Sequence, residues 1–302
     1  MTDIASGILP PLVTTFRKEG FDAKAYAANI DYLNSTGLVG YVVLGSNGEG
    51  VYLSEDEAIE VVETAVASRT KDKAIVVGTG RESTRATIDF TRRAAAAGAE
   101  AALVVPPAYY RSAMTESALE FHYRSVADAS EIPILLYHVP KFCPVRFEPG
   151  LVHRLAGHPN IVGMKDTSAD VVFLTTCLKD RPEGFKIYVG TANLLLAGMV
   201  LGADGGVLAL ANIAPQECVQ LCDMVQRGEI EAARNLQYRL LPVNQAVTAR
   251  FGIVGLKLAL DRIGLHGGDA RRPLEPLSRK EEEELQRILE DGTIKSVTAQ
   301  KS

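Results

Sequence analysis

Apolar residues in this chain gather in short unbroken runs rather than alternating one for one with polar residues. Residues 7–15, 40–44, 74–77, 101–105, 133–137, 161–164, 185–189 and 205–209 are mostly apolar. Such runs are what strands of a sheet buried on both faces require. Helices are predicted between them, over residues 23–35, from a capping box at Ser54 and Glu57, and over 84–97, 115–129, 151–156, 171–178 and 194–201.

Eight βα units in about 210 residues predict an α/β fold, a (β/α)8 TIM barrel. A doubly wound open sheet is the alternative, but no Gly-rich fingerprint follows the first strand. From Pro215 to about Leu289 the chain reads as helical throughout, punctuated at Gly228, Pro242, Gly252, Gly264 and Gly267-Gly268. The expected organisation is therefore a barrel over residues 1–214 and a helical extension over 215–302 packed against it, with residues 297–302 frayed.

The chain has 302 residues, 47% of them hydrophobic, and a formal net charge of -5. With no Lys/Arg-rich run, nucleic acid and anionic membrane surfaces are disfavoured as partners, and a small molecule is favoured. No apolar run reaches the roughly 18 residues of a membrane span. The start has no charged region followed by an apolar one, so a cytoplasmic location is expected, or the mitochondrial matrix if a transit peptide has been removed. The four cysteines, Cys143, Cys177, Cys218 and Cys222, form no C-x-x-C pair and read as reduced. Five scattered histidines lack the spacing of a catalytic metal site, and Gly78-Thr79-Gly80-Arg81-Glu82-Ser83 has Ser where a dinucleotide fingerprint needs its third glycine.

The chemistry is expected at the C-terminal ends of the strands, where barrels of this kind carry their sites. Lys165 ends the run Ile161-Val162-Gly163-Met164. A buried amine favours its neutral form, and a neutral amine attacks carbonyls, which suits a Schiff-base lysine. By itself the stretch favours a strand-end lysine that reaches solvent, and the other strand ends decide. Tyr137 closes another run, Ser46 and Asn47 follow a third, Tyr109 and Tyr110 a fourth, and Gly190-Thr191 a fifth. An amine, a phenol or hydroxyl to move protons and backbone N–H groups to hold a carboxylate are what imine chemistry on a 2-oxo acid needs. His138, next to Tyr137, points to the other side of its strand and reads as structural.

Gly45-Ser46-Asn47-Gly48-Glu49, Leu136-Tyr137-His138-Val139-Pro140 and Gly163-Met164-Lys165-Asp166, in this order and spacing, resemble the dihydrodipicolinate synthase and N-acetylneuraminate lyase superfamily. Residues 44–49, 101–111, 158–166 and 244–253 look most like 4-hydroxy-2-oxoglutarate aldolase of the mitochondrial type. The resemblance implies a class I lyase of pyruvate type, with no cofactor beyond the covalent imine on Lys165. Tyr137 would shuttle protons, Ser46 would be the relay hydroxyl, and Ser46, Asn47, Thr167 and Gly190 would bind substrate. Tyr110 matches a tyrosine that family members lend to a neighbouring subunit, which implies a homo-oligomer, usually a tetramer.

Two residues beyond the proline of the Tyr-x-Val-Pro motif, dihydrodipicolinate synthases carry an arginine that grips a carboxylate, and this chain has Phe142. That ranks cleavage of 4-hydroxy-2-oxoglutarate to pyruvate and glyoxylate first, although Arg146 lies close enough in sequence to compensate. A 2-keto-3-deoxy sugar acid aldolase or dehydratase and dihydrodipicolinate synthesis are the enzymatic alternatives. A catalytically silent barrel that binds keto acids is the alternative from another class.

Overall fold

In the computed structural model, which describes residues 4–297, the apolar runs become the staves of a barrel. The first run is short: β1 (Gly7–Leu9) ends where Pro10 and Pro11 remove two N–H donors, and a small hairpin, β2 (Phe16–Arg17) with β3 (Gly20–Phe21), follows. The expectation of a strand over 7–15 is corrected accordingly. The remaining staves are β4 (Gly40–Val43), β5 (Ala74–Gly78), β6 (Ala101–Val104), β7 (Ile134–His138), β8 (Ile161–Asp166), β9 (Lys186–Val189) and β10 (Gly205–Val207).

These eight strands pair in parallel in the order β1-β10-β9-β8-β7-β6-β5-β4. The ring closes where the Leu12 N–H donates to the Val42 carbonyl at 2.8 Å and the Val42 N–H to the Pro10 carbonyl at 3.0 Å. The chain folds as a TIM barrel. β4, β6 and β7 are buried at every position, as a sheet covered on both faces must be.

Helices α1 (Ala23–Leu33), α2 (Glu55–Ser68), α3 (Thr84–Ala96), α4 (Glu116–Ala129), α5 (Pro149–Ala156), α6 (Val171–Lys179), α7 (Leu195–Val200) and α8 (Pro215–Gln226) pack around it. Their starts are set by local chemistry. Asp22, Ser54, Ser83, Thr115 and Asp170 each accept a backbone N–H in the first turn, and Ser54 with Glu57 forms the expected capping box. Cys143, Cys177, Cys218 and Cys222 are buried free thiols.

Beyond α8, α9 (Ile230–Gln245) runs through a π turn (Ala246–Arg250) into α10 (Gly252–Arg262), and α11 (Arg279–Asp291) comes last. The expectation of helix throughout fails over residues 263–278, which are irregular. Gly264 and Gly268 adopt left-handed backbone there, breaking the helix and letting the chain turn back toward the hairpin, where Asp269 bridges Phe16. Val297 is tied down by its N–H to the Ile263 carbonyl at 2.8 Å, and the rest of the stretch expected to fray, residues 298–302, lies outside the described residues. Among the described residues, no helix is long and apolar enough to cross a membrane.

Candidate active site

The site is built at the ends of β7 and β8. Their pairing begins with Ile134 opposite Ile161 and then slips, so that Leu135 faces Gly163 and Val162 is skipped. Downstream of that bulge Tyr137 is paired with Lys165 and His138 with Asp166. Paired residues of adjacent parallel strands share a face of the sheet. Tyr137 and Lys165 therefore project together, and the next stave adds Tyr188 as the other partner of Lys165.

Lys165 is 3% exposed and Tyr137 6%. The Lys165 Nζ lies 4.3 Å from the centre of the Tyr137 ring. The Tyr137 hydroxyl is 3.2 Å from Ser46 Oγ, close enough for a hydrogen bond in either direction. Amine, phenol and serine hydroxyl are thus brought into one contiguous group.

The opposite face carries His138 and Asp166. His138 Nδ1 lies 2.9 Å from Asp166 Oδ1, with both side chains buried. The imidazole packs against Phe147, just ahead of α5, and Phe173 of α6, which agrees with a structural role. Asp166 also accepts from the Ser168 N–H and hydroxyl, ordering the turn that leaves β8.

Ser46 and Asn47 open a one-turn 3-10 helix (Ser46–Gly48) after β4. The Gly48 N–H bonds the Gly45 carbonyl, which leaves the Ser46 and Asn47 amides, first in the turn, outside its own hydrogen bonds. Two non-glycine residues with left-handed backbone bracket the turn, Leu44 at φ +58° and Glu49 at φ +51°. A side chain at Gly78 would bring its Cβ to 2.4 Å from the Leu44 carbonyl oxygen, so only glycine lets this loop seat against β5.

Thr167 and Gly190 meet at the ends of β8 and β9. A Cβ at Gly190 would stand 2.0 Å from Thr167 Oγ1, so the missing side chain makes room for that hydroxyl. Thr167 Oγ1 is buried with no hydrogen-bond partner among the described residues, an uncommon state for a hydroxyl. The Gly190 N–H is engaged by the Asp166 carbonyl at 2.6 Å and is not itself available to a ligand.

A cavity of about 390 Å³ opens beside the group, lined among others by Ser46, Tyr137, Val139, Phe142 and Cys143. Lys165 and Asn47 are not among its lining residues. Neither Tyr109 nor Tyr110 lines the cavity. Tyr110 is 72% exposed, its ring edge-on to Tyr109 with centroids 5.1 Å apart, so within one chain these phenols do not join the site. Arg146 is exposed and does not line the cavity, so it does not stand in for the arginine replaced by Phe142. Arg81 lines the cavity but is spent on the Thr79 and Gly80 carbonyls, the Phe90 ring and Glu55. Among the described residues no group of three or more His, Cys, Asp or Glu could hold a metal.

Glu49, quoted above only as the end of a motif, and Lys257 and Arg271, given no part by the sequence, support this site. Glu49, buried at the end of the Ser46 turn, is ion-paired with Lys257 Nζ of α10 at 2.6 Å and accepts the Arg271 N–H at 2.9 Å. Burial pulls Lys257 below the ordinary lysine value, and Glu49 works against that pull. A signal was available: Lys257 sits inside Val254-Gly255-Leu256-Lys257-Leu258-Ala259-Leu260, a charge within an apolar helical run.

The profile of the family described as the dihydrodipicolinate synthetase family matches residues 4–292. A 4-hydroxy-tetrahydrodipicolinate synthase of an Exiguobacterium species is 36% identical over 286 residues, 94% of this chain and 97% of the relative. The solved structure of the chloride-inhibited dihydrodipicolinate synthase of Acinetobacter baumannii complexed with pyruvate is 31% identical, with a TM-score of 0.91 over 96% of this chain and 99% of that one. A structure of a monomeric dihydrodipicolinate synthase variant aligns with a TM-score of 0.92 at 26% identity, over 97% of this chain and 98% of that one. These relatives carry the synthase name, not that of the 4-hydroxy-2-oxoglutarate aldolase to which the sequence likeness gave first place. Enzymes of this family work through a covalent imine between lysine and pyruvate, with no external cofactor. With its profile matched almost from end to end, this chain belongs to the dihydrodipicolinate synthetase family.

Proposed function

We propose that this protein forms an imine between Lys165 and pyruvate and uses it to make or break the bond between C3 of pyruvate and an aldehyde carbon. The observation that carries the reading is the contiguity of three groups: Lys165 Nζ against the Tyr137 ring at 4.3 Å, and the Tyr137 hydroxyl 3.2 Å from Ser46 Oγ. Lys165 attacks the C2 carbonyl, and Tyr137 supplies the proton that turns the departing hydroxyl into water. Ser46 passes protons between Tyr137 and the cavity. The protonated imine is an electron sink: loss of a C3 proton, or cleavage of C3–C4 in a 4-hydroxy-2-oxo acid, leaves the same enamine. The free amides of Ser46 and Asn47 hold the carboxylate of pyruvate, and the unpartnered Thr167 hydroxyl, given room by Gly190, faces the bound acid.

Two partners for the enamine are supported by different observations. The names of the relatives support condensation with an aldehyde in 4-hydroxy-tetrahydrodipicolinate synthesis. Phe142, 61% exposed and lining the cavity where those synthases carry arginine, supports instead cleavage of a 4-hydroxy-2-oxo acid whose aldehyde half has no carboxylate at that place, such as a 2-keto-3-deoxy sugar acid; 4-hydroxy-2-oxoglutarate, whose glyoxylate half carries one, loses the same contact. Losing a bidentate guanidinium from a site built for a carboxylate costs several-fold to many-fold in recognition. Exposed Tyr110 is read as completing the site of a second copy, in a homo-oligomer.

Incubation with pyruvate and borohydride followed by mass measurement tests the core of this reading. The expected result is one reduced pyruvate adduct per chain, absent in Lys165→Ala. A missing adduct in the wild type sinks it and leaves a silent keto-acid-binding barrel, and an adduct that survives in Lys165→Ala sinks it by placing the imine on another amine. Rates of pyruvate release from 4-hydroxy-2-oxoglutarate and from two deoxy sugar acids, set beside condensation with aspartate semialdehyde, then decide the partner.

A further inference from the structure

The turn that presents Ser46 is held from below by a part of the chain more than two hundred residues away. Glu49 ends the turn and is 2% exposed, as is Lys257 of α10, whose ammonium lies 2.6 Å from Glu49 Oε1. The other carboxylate oxygen, Oε2, accepts the backbone N–H of Arg271 at 2.9 Å, from the irregular stretch after α10. Lys257 Nζ donates in addition to the Asp269 carbonyl at 2.5 Å and stands 4.5 Å from the centre of the Phe16 ring. The Arg271 guanidinium lies over the same ring at 4.3 Å and reaches Glu57 Oε1 at 2.7 Å and the Tyr52 carbonyl at 2.9 Å.

The whole turn between Leu44 and Tyr52 is thereby seated on the carboxyl-terminal extension. Its backbone cannot rest there by local preference, because Leu44 and Glu49 both adopt left-handed angles that L side chains avoid. From the other side, the Thr14 hydroxyl donates to the Gly48 carbonyl at 2.7 Å. What this bracing holds steady is the 3.2 Å approach of Ser46 Oγ to the Tyr137 hydroxyl.

We propose that Lys257 and Arg271 are positioning residues for the Ser46–Asn47 turn: by fixing Glu49 they set the distance between the Ser46 hydroxyl and Tyr137. They touch neither substrate nor the reacting atoms. The inference rests on the imine chemistry assigned above, since it gives the Ser46–Tyr137 contact its purpose. It also explains why a lysine and a glutamate are buried together in this fold, at a place where an apolar pair would cost nothing to desolvate.

The test compares wild type, Lys257→Met and the double variant Glu49→Gln with Lys257→Met in full-length protein. The thermal midpoint and the rate of borohydride-trapped adduct formation at saturating pyruvate are both measured. In Lys257→Met both should fall, the trapping rate by about three- to tenfold, no more than removal of the Ser46 hydroxyl itself would cost. The double variant contains no buried unpaired charge, so its thermal midpoint should recover while its trapping rate stays low. Recovery of both together, or trapping within twofold of wild type in both variants, overturns the proposal and leaves the network a purely structural one. Should Lys257→Met fail to fold, the double variant alone decides. An absent adduct in wild type is a different failure: it removes the assigned chemistry itself.

Discussion

Tyr137 and Lys165 are register partners on adjacent staves only because the pairing of β7 with β8 slips by one residue at Val162. Counted straight from Ile134 opposite Ile161, Lys165 would fall opposite His138 and Met164 opposite Tyr137. A shift of one residue turns every following side chain to the other face. The bulge therefore decides that the amine meets the phenol and that Asp166 meets His138.

Deleting Val162 removes the extra residue and straightens the strand without changing its later partners: Leu135 stays opposite Gly163 and Tyr137 opposite Lys165. The pyruvate adduct should still form in that variant. Inserting one alanine between Gly163 and Met164 instead carries Lys165 opposite His138, on the other face, and should abolish the adduct in a variant whose far-ultraviolet circular dichroism still reports a folded barrel. An adduct lost on deletion, or retained at the wild-type rate on insertion, would show that this register does not set the geometry.

Tyr137→Phe keeps the ring against Lys165 and removes the hydroxyl that bonds Ser46. Turnover should fall by about 10²- to 10⁴-fold, the range for loss of a general acid or base. Ser46→Ala removes one neutral hydrogen bond, and a smaller loss of about two- to tenfold is expected. Steady-state rates for both variants check the ranking, and a Ser46→Ala loss as large as that of Tyr137→Phe would contradict the assigned roles.

Gly190→Ala places a Cβ 2.0 Å from Thr167 Oγ1 and 2.9 Å from its Cα. Overpacking of this kind costs about 1–3 kcal/mol. Because β8 and β9 are paired at this end, the strain should also appear at the site, as a raised KM for the 2-oxo acid. Thr167→Gly in the same chain removes the hydroxyl and Cβ contacts and should recover most of the thermal midpoint. Steady-state kinetics and thermal unfolding of the single and double variants read this directly.

His122, on α4, is buried, with Nδ1 3.0 Å from the Thr84 hydroxyl and Nε2 without a partner among the described residues. Burial pulls its pKa down to about 4. In the unfolded chain the group titrates near about 6.5, so between these values the unfolded state binds a proton that the folded state does not. Stability from this group is present above about pH 6.5 and is lost as pH falls toward 4, on the order of 3 kcal/mol in full. Denaturant unfolding across that window should show a steeper decline for wild type than for His122→Gln. Equal slopes would remove His122 as the cause.

Much of this architecture is legible along the chain because its strands are covered on both faces. β4, β6 and β7 could not be mistaken for half-exposed strands, and Ser54 with Glu57 announces a helix by chemistry that needs only four consecutive residues. The exception is instructive. Residues 263–278 read as more helix, but their backbone is committed to Phe16, Glu49 and Asn29, partners more than two hundred residues away.

Lys165, Tyr137 and Ser46 could be picked out because strand ends are where such barrels keep their chemistry, and these residue types suit imine formation. Their order along the chain and the apolar runs that precede them were determined by the amino-acid sequence itself. The tertiary structure alone decided that Val162 bulges and so brings amine and phenol to one face, that Thr167 occupies the space Gly190 leaves, and that Lys257 and Arg271 come to rest beneath Glu49. Local pattern records how each segment satisfies its own backbone and buries its own side chains. Register and the pairing of buried charges depend instead on which segments meet, and that is settled only when the ring of strands closes.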